Sequence, residues 1–214
     1  MQQLYLKKMS RKLYILKSVS ITNNRVLSDG RIVYSDEQSA NFRSFSKGLY
    51  RKLNCDYSKF FKMDNLCKLS FLASEFLTSD LDLDLYDKDK TAILLSNSSS
   101  TLETDSIFTD TLESIPSPAI FVYTLPNIAI GEISIRQEWK GENLFLVDES
   151  FHPEKLAEQI EMLFASSETV LCLTGWVDYI SDSEYQANFW LVAEKTDAKS
   201  RIFSAVELHN DNLV

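Results

Sequence analysis

Apolar positions along the 214-residue chain switch between periods near two and near 3.6, and the switches mark its elements. Leu13 to Thr22 is rich in β-branched and aromatic residues, with Val19 and Ile21 set against serines, which predicts a strand closed by Asn23-Asn24. The Asp29-Gly30 pair admits positive φ at low steric cost and predicts a short hairpin. From Asn41 to Asp64 the chain is basic and aromatic, and reads as irregular or broken helix whose rings anchor on the core. Leu66, Leu69, Ala73, Phe76 and Leu77 recur at three- to four-residue spacing, so Lys62 to Leu77 is a helix. The alternating Asp and Leu of Leu81 to Lys90 form a loop packed by its leucines.

Ala92 to Ser96 is a short, unbroken apolar run of the kind that fills a central parallel strand. A polar loop, Asn97 to Ser100, follows it, and Thr101-Leu-Glu-Thr-Asp opens a helix that Pro116 and Pro118 stop. Phe121 to Leu125 is expected to be extended, and Pro126 to begin a helix in which Ile128, Ala129 and Ile133 pack inward. Leu144 to Val147 is expected to be a buried strand. Pro153 suits the first position of a helix with the stripe Leu156, Ile160, Leu163 and Phe164. Val170 to Leu173 is a further central strand, ending at Gly175. Asn188 to Glu194 and Arg201 to Leu208 read as adjacent antiparallel edge strands joined by the polar link Lys195 to Ser200. This order is α/β, with a largely parallel sheet, and the length and 44% hydrophobic content predict one domain over residues 1–214.

Charge adds an asymmetry. The net charge is −9, but residues 1–70 hold 14 Lys and Arg against 5 Asp and Glu, a balance of +9, while the rest hold 8 against 26, a balance of −18. The basic third is either a docking surface for an acidic partner or a set of solvated faces offset by the fold. Nucleic acid is not an expected partner, since the acidic two-thirds repel phosphate. No run reaches the roughly 18–20 apolar residues of a membrane span. Met1 to Lys12 lacks the apolar stretch of a signal peptide, so a cytoplasmic location is expected. Cys55, Cys67 and Cys172 have neither disulfide nor zinc spacing, His152 and His209 lie far apart, and no metal or cofactor is expected.

The candidate chemistry sits where a strand delivers a short polar segment to a helix N-terminus, an elbow that presents Ser150. His152 is the nearest base, although both residues also suit turn or capping roles. Asp148 and Glu149 resemble an acid/base pair only in composition, because side chains of consecutive residues diverge. Cys172 is read as a buried apolar residue.

Several segments together resemble the N-terminal half of a β-ketoacyl-acyl-carrier-protein synthase of the thiolase superfamily. Lys62-Met-Asp-Asn-Leu-Cys-Lys-Leu is similar to the family's basic segment leading into a Met-Asp helix, and Ile93 to Thr104 to its strand, Ser/Gly-rich loop and Leu-Glu-Thr. Thr124-Leu-Pro-Asn-Ile-Ala-Ile-Gly-Glu-Ile is similar to its Pro-Asn segment, and Gly141-Glu-Asn-Leu to the Gly-Pro-Asn-Leu ahead of the active site. Gly175-Trp-Val-Asp sits where the family has a Gly-Gly-x-Glu turn, and the last two runs resemble its Val-Leu-Glu strand and return. The resemblance covers about residues 10–208.

It implies a thiolase-like half: a mixed, mostly parallel five-stranded sheet with helices on both faces. It also marks two departures. The tenth residue counted from Gly141, where the family has its nucleophilic cysteine, is Ser150, and the family's two catalytic histidines belong to a C-terminal half without counterpart in this sequence. The implied role is a non-catalytic ketosynthase-like partner, akin to a chain-length factor, in a fatty-acid or polyketide-type pathway such as aryl-polyene synthesis. The alternatives are an acyltransferase or hydrolase using Ser150, and a homodimeric acyl-binding scaffold. By the same resemblance, Pro126, Asn127, Leu144, Phe145, Leu146 and Val147 belong to a dimer interface, either with a second copy or with a ketosynthase. Arg51, Lys52, Lys59 and Lys62 fall where the family docks acyl carrier protein.

Overall fold

In the computed structural model, residues 12–113, 115–194 and 200–212 are described. The chain opens as an antiparallel meander of β1 (Tyr14–Thr22), β2 (Arg25–Ser28) and β3 (Arg31–Ser35). Both turns are where the sequence places them. Asn23 and Asn24 adopt φ of 48° and 56°, and Asp29 and Gly30 adopt 47° and 74°, the left-handed values that match a tight turn to strand twist. Asp29 Oδ1 also accepts a hydrogen bond from the Ser18 amide at 2.9 Å, pinning the second turn to β1.

The basic, aromatic segment is a broken helix, as expected, but its first part is regular. Helix α1 (Phe42–Lys52) is capped by the Asn41 side chain, and a 3-10 turn over Ser58–Lys62 leads to α2 (Asn65–Thr78), capped by Asp64. The leucine loop folds into two 3-10 turns, Leu83–Leu85 and Lys88–Lys90, with Leu81 and Leu83 against the core. Then come β4 (Thr91–Asn97), α3 (Leu102–Thr111), α4 (Pro118–Val122), α5 (Asn127–Gln137), β5 (Asn143–Val147) and α6 (Pro153–Ser166). The chain continues through β6 (Leu171–Ser181), β7 (Glu184–Ala193), β8 (Arg201–Ile202) and α7 (Ala205–Asn212).

The sheet is mixed and sandwiched by helices, as the sequence implied, but among the described residues it has eight strands rather than five, in the order β3-β2-β1-β7-β6-β4-β5, with β8 on β1. It is also more antiparallel than expected: β4 is parallel to β5 and β6, and every other pairing is antiparallel. Apolar runs record burial rather than direction, so the β6–β7 hairpin looked like two unrelated segments. Alternation about the pleat divides the core in two. Ile93, Leu95, Leu173, Val177 and Phe189 face α1, α2 and α5, whereas Ala92, Leu94, Cys172, Trp190 and Val192 face α6 and α7. Full burial of a side chain such as Phe71 or Ile160 contributes about 1.5–3 kcal/mol, and the two clusters account for most of the folding drive.

Five local expectations are corrected. Phe121 to Leu125 is not extended; Pro118 in the first turn starts α4 and the chain turns after it. Leu144 to Val147 is a strand but not a buried one, because β5 ends the sheet: Leu144 is 43% exposed and Val147 55%. β6 does not stop at Gly175. That residue pairs with Phe189 inside the strand, where a Cβ would meet the Phe189 ring and stand 2.5 Å from the Asn188 carbonyl oxygen, so close approach rather than a turn requires glycine. Asn188 to Glu194 is no edge: β7 lies between β1 and β6. Arg201 to Leu208 is mostly not strand. Only Arg201–Ile202 pairs, with β1, before α7 closes over Trp190, whose Nε1 donates to Asp211 at 2.8 Å. Of the link Lys195 to Ser200, residues 195–199 lie outside the described residues, as do residues 1–11 of the N-terminal stretch.

Candidate functional site

In an open α/β sheet, a ligand cleft forms beyond the carboxyl ends of the parallel strands. A cleft of about 430 Å³ lies there, walled by Ser98 after β4, Glu149 to Phe151 after β5, and Trp176 and Asp178 on β6. The floor is built by Asp178, 5% exposed, which clasps the loop after β4. Its carboxylate accepts from the Ser98 amide (3.2 Å) and hydroxyl (2.9 Å), and from the Ser99 amide (3.1 Å) and hydroxyl (2.7 Å). Asn97 exchanges hydrogen bonds with the Ser100 backbone, and Thr101 Oγ1 donates to the Thr124 carbonyl at 2.9 Å. The polar Asn97-Ser-Ser-Ser loop is therefore held at both ends and in its middle.

The second wall follows from β5. The Asp148 amide donates to the Asn97 carbonyl at 2.9 Å, and the Asp148 side chain accepts from Lys155 Nζ on α6, which holds its carboxyl below the usual range. Phe151 anchors the segment, stacked on Trp190 with centroids 5.9 Å apart and edge-on to Trp176 at 5.8 Å. The Trp176 Nε1 and Thr174 Oγ1 atoms are buried without a hydrogen-bond partner. Between Phe151's anchor and Asp148's, Glu149 and Ser150 are exposed toward the cleft.

The structure brings Ser150 and His152 together: Oγ and Nε2 are 3.2 Å apart, both side chains exposed. His152 occupies the cap position of α6 but makes no side-chain cap bond, so the imidazole faces the serine instead of the helix end. Among the described residues no carboxylate is hydrogen-bonded to that imidazole. The thiols are elsewhere. Cys172 and Cys67 are buried and pushed well up by desolvation, and Cys55 is pushed up to about 12 by burial and by Glu75, so each is held as the unreactive thiol. No cluster of three His, Cys, Asp or Glu with metal-binding geometry occurs among the described residues.

The cations assigned to docking from the sequence are all exposed. Arg51 and Lys52 end α1, Lys59 and Lys62 sit on the 3-10 turn, and Phe61 stands 56% exposed among them. Burial, with smaller contributions from Arg43 and Lys47 on α1, pushes down the ammonium of Lys68 on α2. Pro126 and Asn127 begin α5 and lie outside the cleft, while Phe145 and Leu146 pack on opposite faces of the sheet. The clasp by Asp178 was missed from the sequence; its position in Gly175-Trp-Val-Asp was the available signal.

The mixed sheet with helices on both faces, the cleft at the ends of its parallel strands and the elbow into α6 make a fold similar to that of solved ketosynthase chains. Solved structures with this fold include the ishigamide ketosynthase/chain length factor, at TM-score 0.63 and 15% identity, with 88% of this chain and 63% of that chain covered. A chain of the complex of the ketosynthase ApeO with its chain length factor ApeC, from Xenorhabdus doucetiae, matches at 0.57 and 13%, with 86% and 80% covered. A chain of AntDE:AntF, a type II PKS acyl-carrier protein in complex with its ketosynthase, matches at 0.56 and 12%, with 86% and 63% covered. The chain thus spans less than two thirds of the ishigamide neighbour it matches. No family model and no curated protein matches it. No helix among the described residues is long and apolar enough to cross a membrane.

Proposed function

We propose that the chain is a non-catalytic ketosynthase-like subunit, akin to a chain-length factor, acting in the cytoplasm in a fatty-acid or polyketide-type pathway such as aryl-polyene synthesis. The observation that carries this reading is the chemistry of the elbow: the residue it exposes toward the cleft is a hydroxyl, Ser150, and by the sequence resemblance that is the position at which a ketosynthase needs a thiolate. A thiol near pKa 8.5 is activated by a helix N-terminus alone, but a hydroxyl starts far higher and needs a positioned base. His152 is exposed and unsupported, and Glu149 beside it repels an anionic malonyl group. The two solved complexes named above support the partner kinds, since one pairs a ketosynthase with a chain length factor and the other a ketosynthase with a carrier protein.

The edge of β5 suits pairing with a second sheet. Leu144 and Val147 are exposed along it, and among the described residues β5 pairs only with β4. Pro126 and Asn127 complete the interface in this reading. The native-host test is affinity purification of the tagged chain followed by native mass spectrometry. A complex with a ketosynthase supports the subunit role, and recovery of neither a ketosynthase nor a carrier protein counts against it.

Arg51, Lys52, Lys59 and Lys62 are the carrier-protein contact in this account, with Phe61 as an apolar anchor among them. Carrier proteins are acidic, so charge complementarity raises the encounter rate despite the chain's net charge. Lys59→Glu with Lys62→Glu is expected to weaken carrier-protein binding about tenfold at low salt and to flatten its salt dependence. Equal binding by surface plasmon resonance removes this contact from the account.

A second reading has one observation in its favour, the 3.2 Å approach of Ser150 Oγ to His152 Nε2. In it the imidazole takes the hydroxyl proton as Ser150 Oγ attacks the carbonyl of an acyl thioester. The C–S bond breaks, the imidazolium returns the proton to the departing thiolate, and the resulting ester is passed to water or to another acceptor.

A further inference from the structure

The 430 Å³ cleft carries charge of one sign. Glu149, after β5, and Glu184, at the start of β7, are exposed in its walls, Asp178 lies in its floor, and no Lys, Arg or His lines it among the described residues. The two cations that follow Glu149 in the chain are engaged elsewhere: His152 faces Ser150, and Lys155 holds Asp148. Asp178 is satisfied by its four donors, but among the described residues neither Glu149 nor Glu184 has an ion-pair partner. Unpaired carboxylates in the walls of a concave site focus a negative potential there, which draws cations in and keeps anions out. A second, independent feature is a donor without an acceptor. Trp176 lines the cleft and is 3% exposed, yet its Nε1 is buried with no hydrogen-bond partner. An unsatisfied buried donor costs about 1–3 kcal/mol, which a ligand oxygen placed against it recovers. Phe151 and Ile180 give the same cleft an apolar wall.

We infer that the cleft binds a small organic ammonium that also carries a carbonyl oxygen, an aminoacyl group being the simplest case. Glu149 and Glu184 take the ammonium, Phe151 and Ile180 take the hydrocarbon, and Trp176 Nε1 donates to the oxygen. The carboxylates are the element of specificity, since they reject the carboxylate analogue of the same ligand. The inference concerns reversible binding and rests on neither reading of Ser150, so Ser150→Ala is expected to bind as the parent chain does.

Probes of similar length separate the features: 6-aminohexanamide, hexanamide, hexylamine and the monoamide of adipic acid, the last an anion. Binding is read from proton–nitrogen correlation spectra of the chain at about 50 mM salt. The Trp176 indole signal, one of three in the chain, is assigned by its loss in Trp176→Phe. 6-Aminohexanamide is expected to bind at least about tenfold more tightly than hexanamide or the anion. It is also expected to move the Trp176 indole proton downfield, whereas hexylamine leaves that signal in place. The preference for the amine fades near 1 M salt and is lost in Glu149→Gln with Glu184→Gln, two exposed sites whose change leaves the fold intact by circular dichroism. Equal binding of the amine and the anion overturns the inference. So does a preference that survives both neutralising substitutions, or a Trp176 signal that 6-aminohexanamide does not move.

Discussion

Asp178→Ala is expected to lower the unfolding free energy by about 2 kcal/mol, read as a fall of roughly 4–8 °C in Tm for a chain of this size. The carboxylate is 5% exposed and takes four donors, two amides and two hydroxyls, from Ser98 and Ser99. Removing it leaves those donors facing an apolar side chain. Ser98 is exposed and recovers water, which keeps the loss below the sum of four bonds. Asp178→Asn retains one acceptor oxygen but turns an amide toward donors, so an intermediate loss is expected. Faster amide exchange at Ser98 and Ser99 separates loosening of the cleft floor from general destabilisation. A change under about 0.5 kcal/mol with unchanged exchange means that the loop holds its shape without the clasp.

The second large effect lies far from the cleft. Glu75→Ala is expected to cost about 3 kcal/mol, measured by urea unfolding, because it strands a cation. Glu75 is 9% exposed and holds Arg136 through Nε (3.0 Å) and Nη2 (2.9 Å), with Gln137 Nε2 at 2.9 Å as a third donor. The Arg136 guanidinium, two-thirds buried, also lies 5.9 Å over the Tyr57 ring. This pair joins α2 to the end of α5. Replacing both partners, as Glu75→Leu with Arg136→Met, is expected to restore much of the loss, since the larger cost is the unpaired charge rather than the missing bond. A double variant no better than Glu75→Ala shows instead that the pair's own attraction dominates.

Much of the fold was legible because burial and capping leave local marks. The runs at 92–96 and 171–173 are apolar on both faces and became β4 and the start of β6, and Pro153 starts α6 where its chemistry suits, whereas the helix read from Lys62 begins only at Asn65, behind the Asp64 cap. What was hidden depended on partners distant in sequence. Ala205 to Asn212 folds as a helix because Asp211 reaches Trp190 and Arg201 bonds Asp211, contacts that strand propensity does not encode. The exposure of β5 was hidden for the same reason: a run of Leu, Phe, Leu and Val looks the same at a sheet's centre and at its edge, and which of the two it occupies depends on strands distant in sequence. At the site, Ser150 and His152 were identified from their place at an elbow, but only the turn from β5 into α6 brings their side chains together. Asp178 was invisible as a clasp because its four donors lie about 80 residues away.

The central claim, that Ser150 is silent and the chain acts by association, is tested most directly by intact mass. The purified chain and its Ser150→Ala variant are incubated with acyl- or malonyl-loaded carrier protein and weighed. The account predicts no adduct on either protein, together with a carrier-protein complex of both in native spectra. An acyl mass added to the parent chain and absent from Ser150→Ala contradicts it and makes the Ser150–His152 pair a working nucleophile.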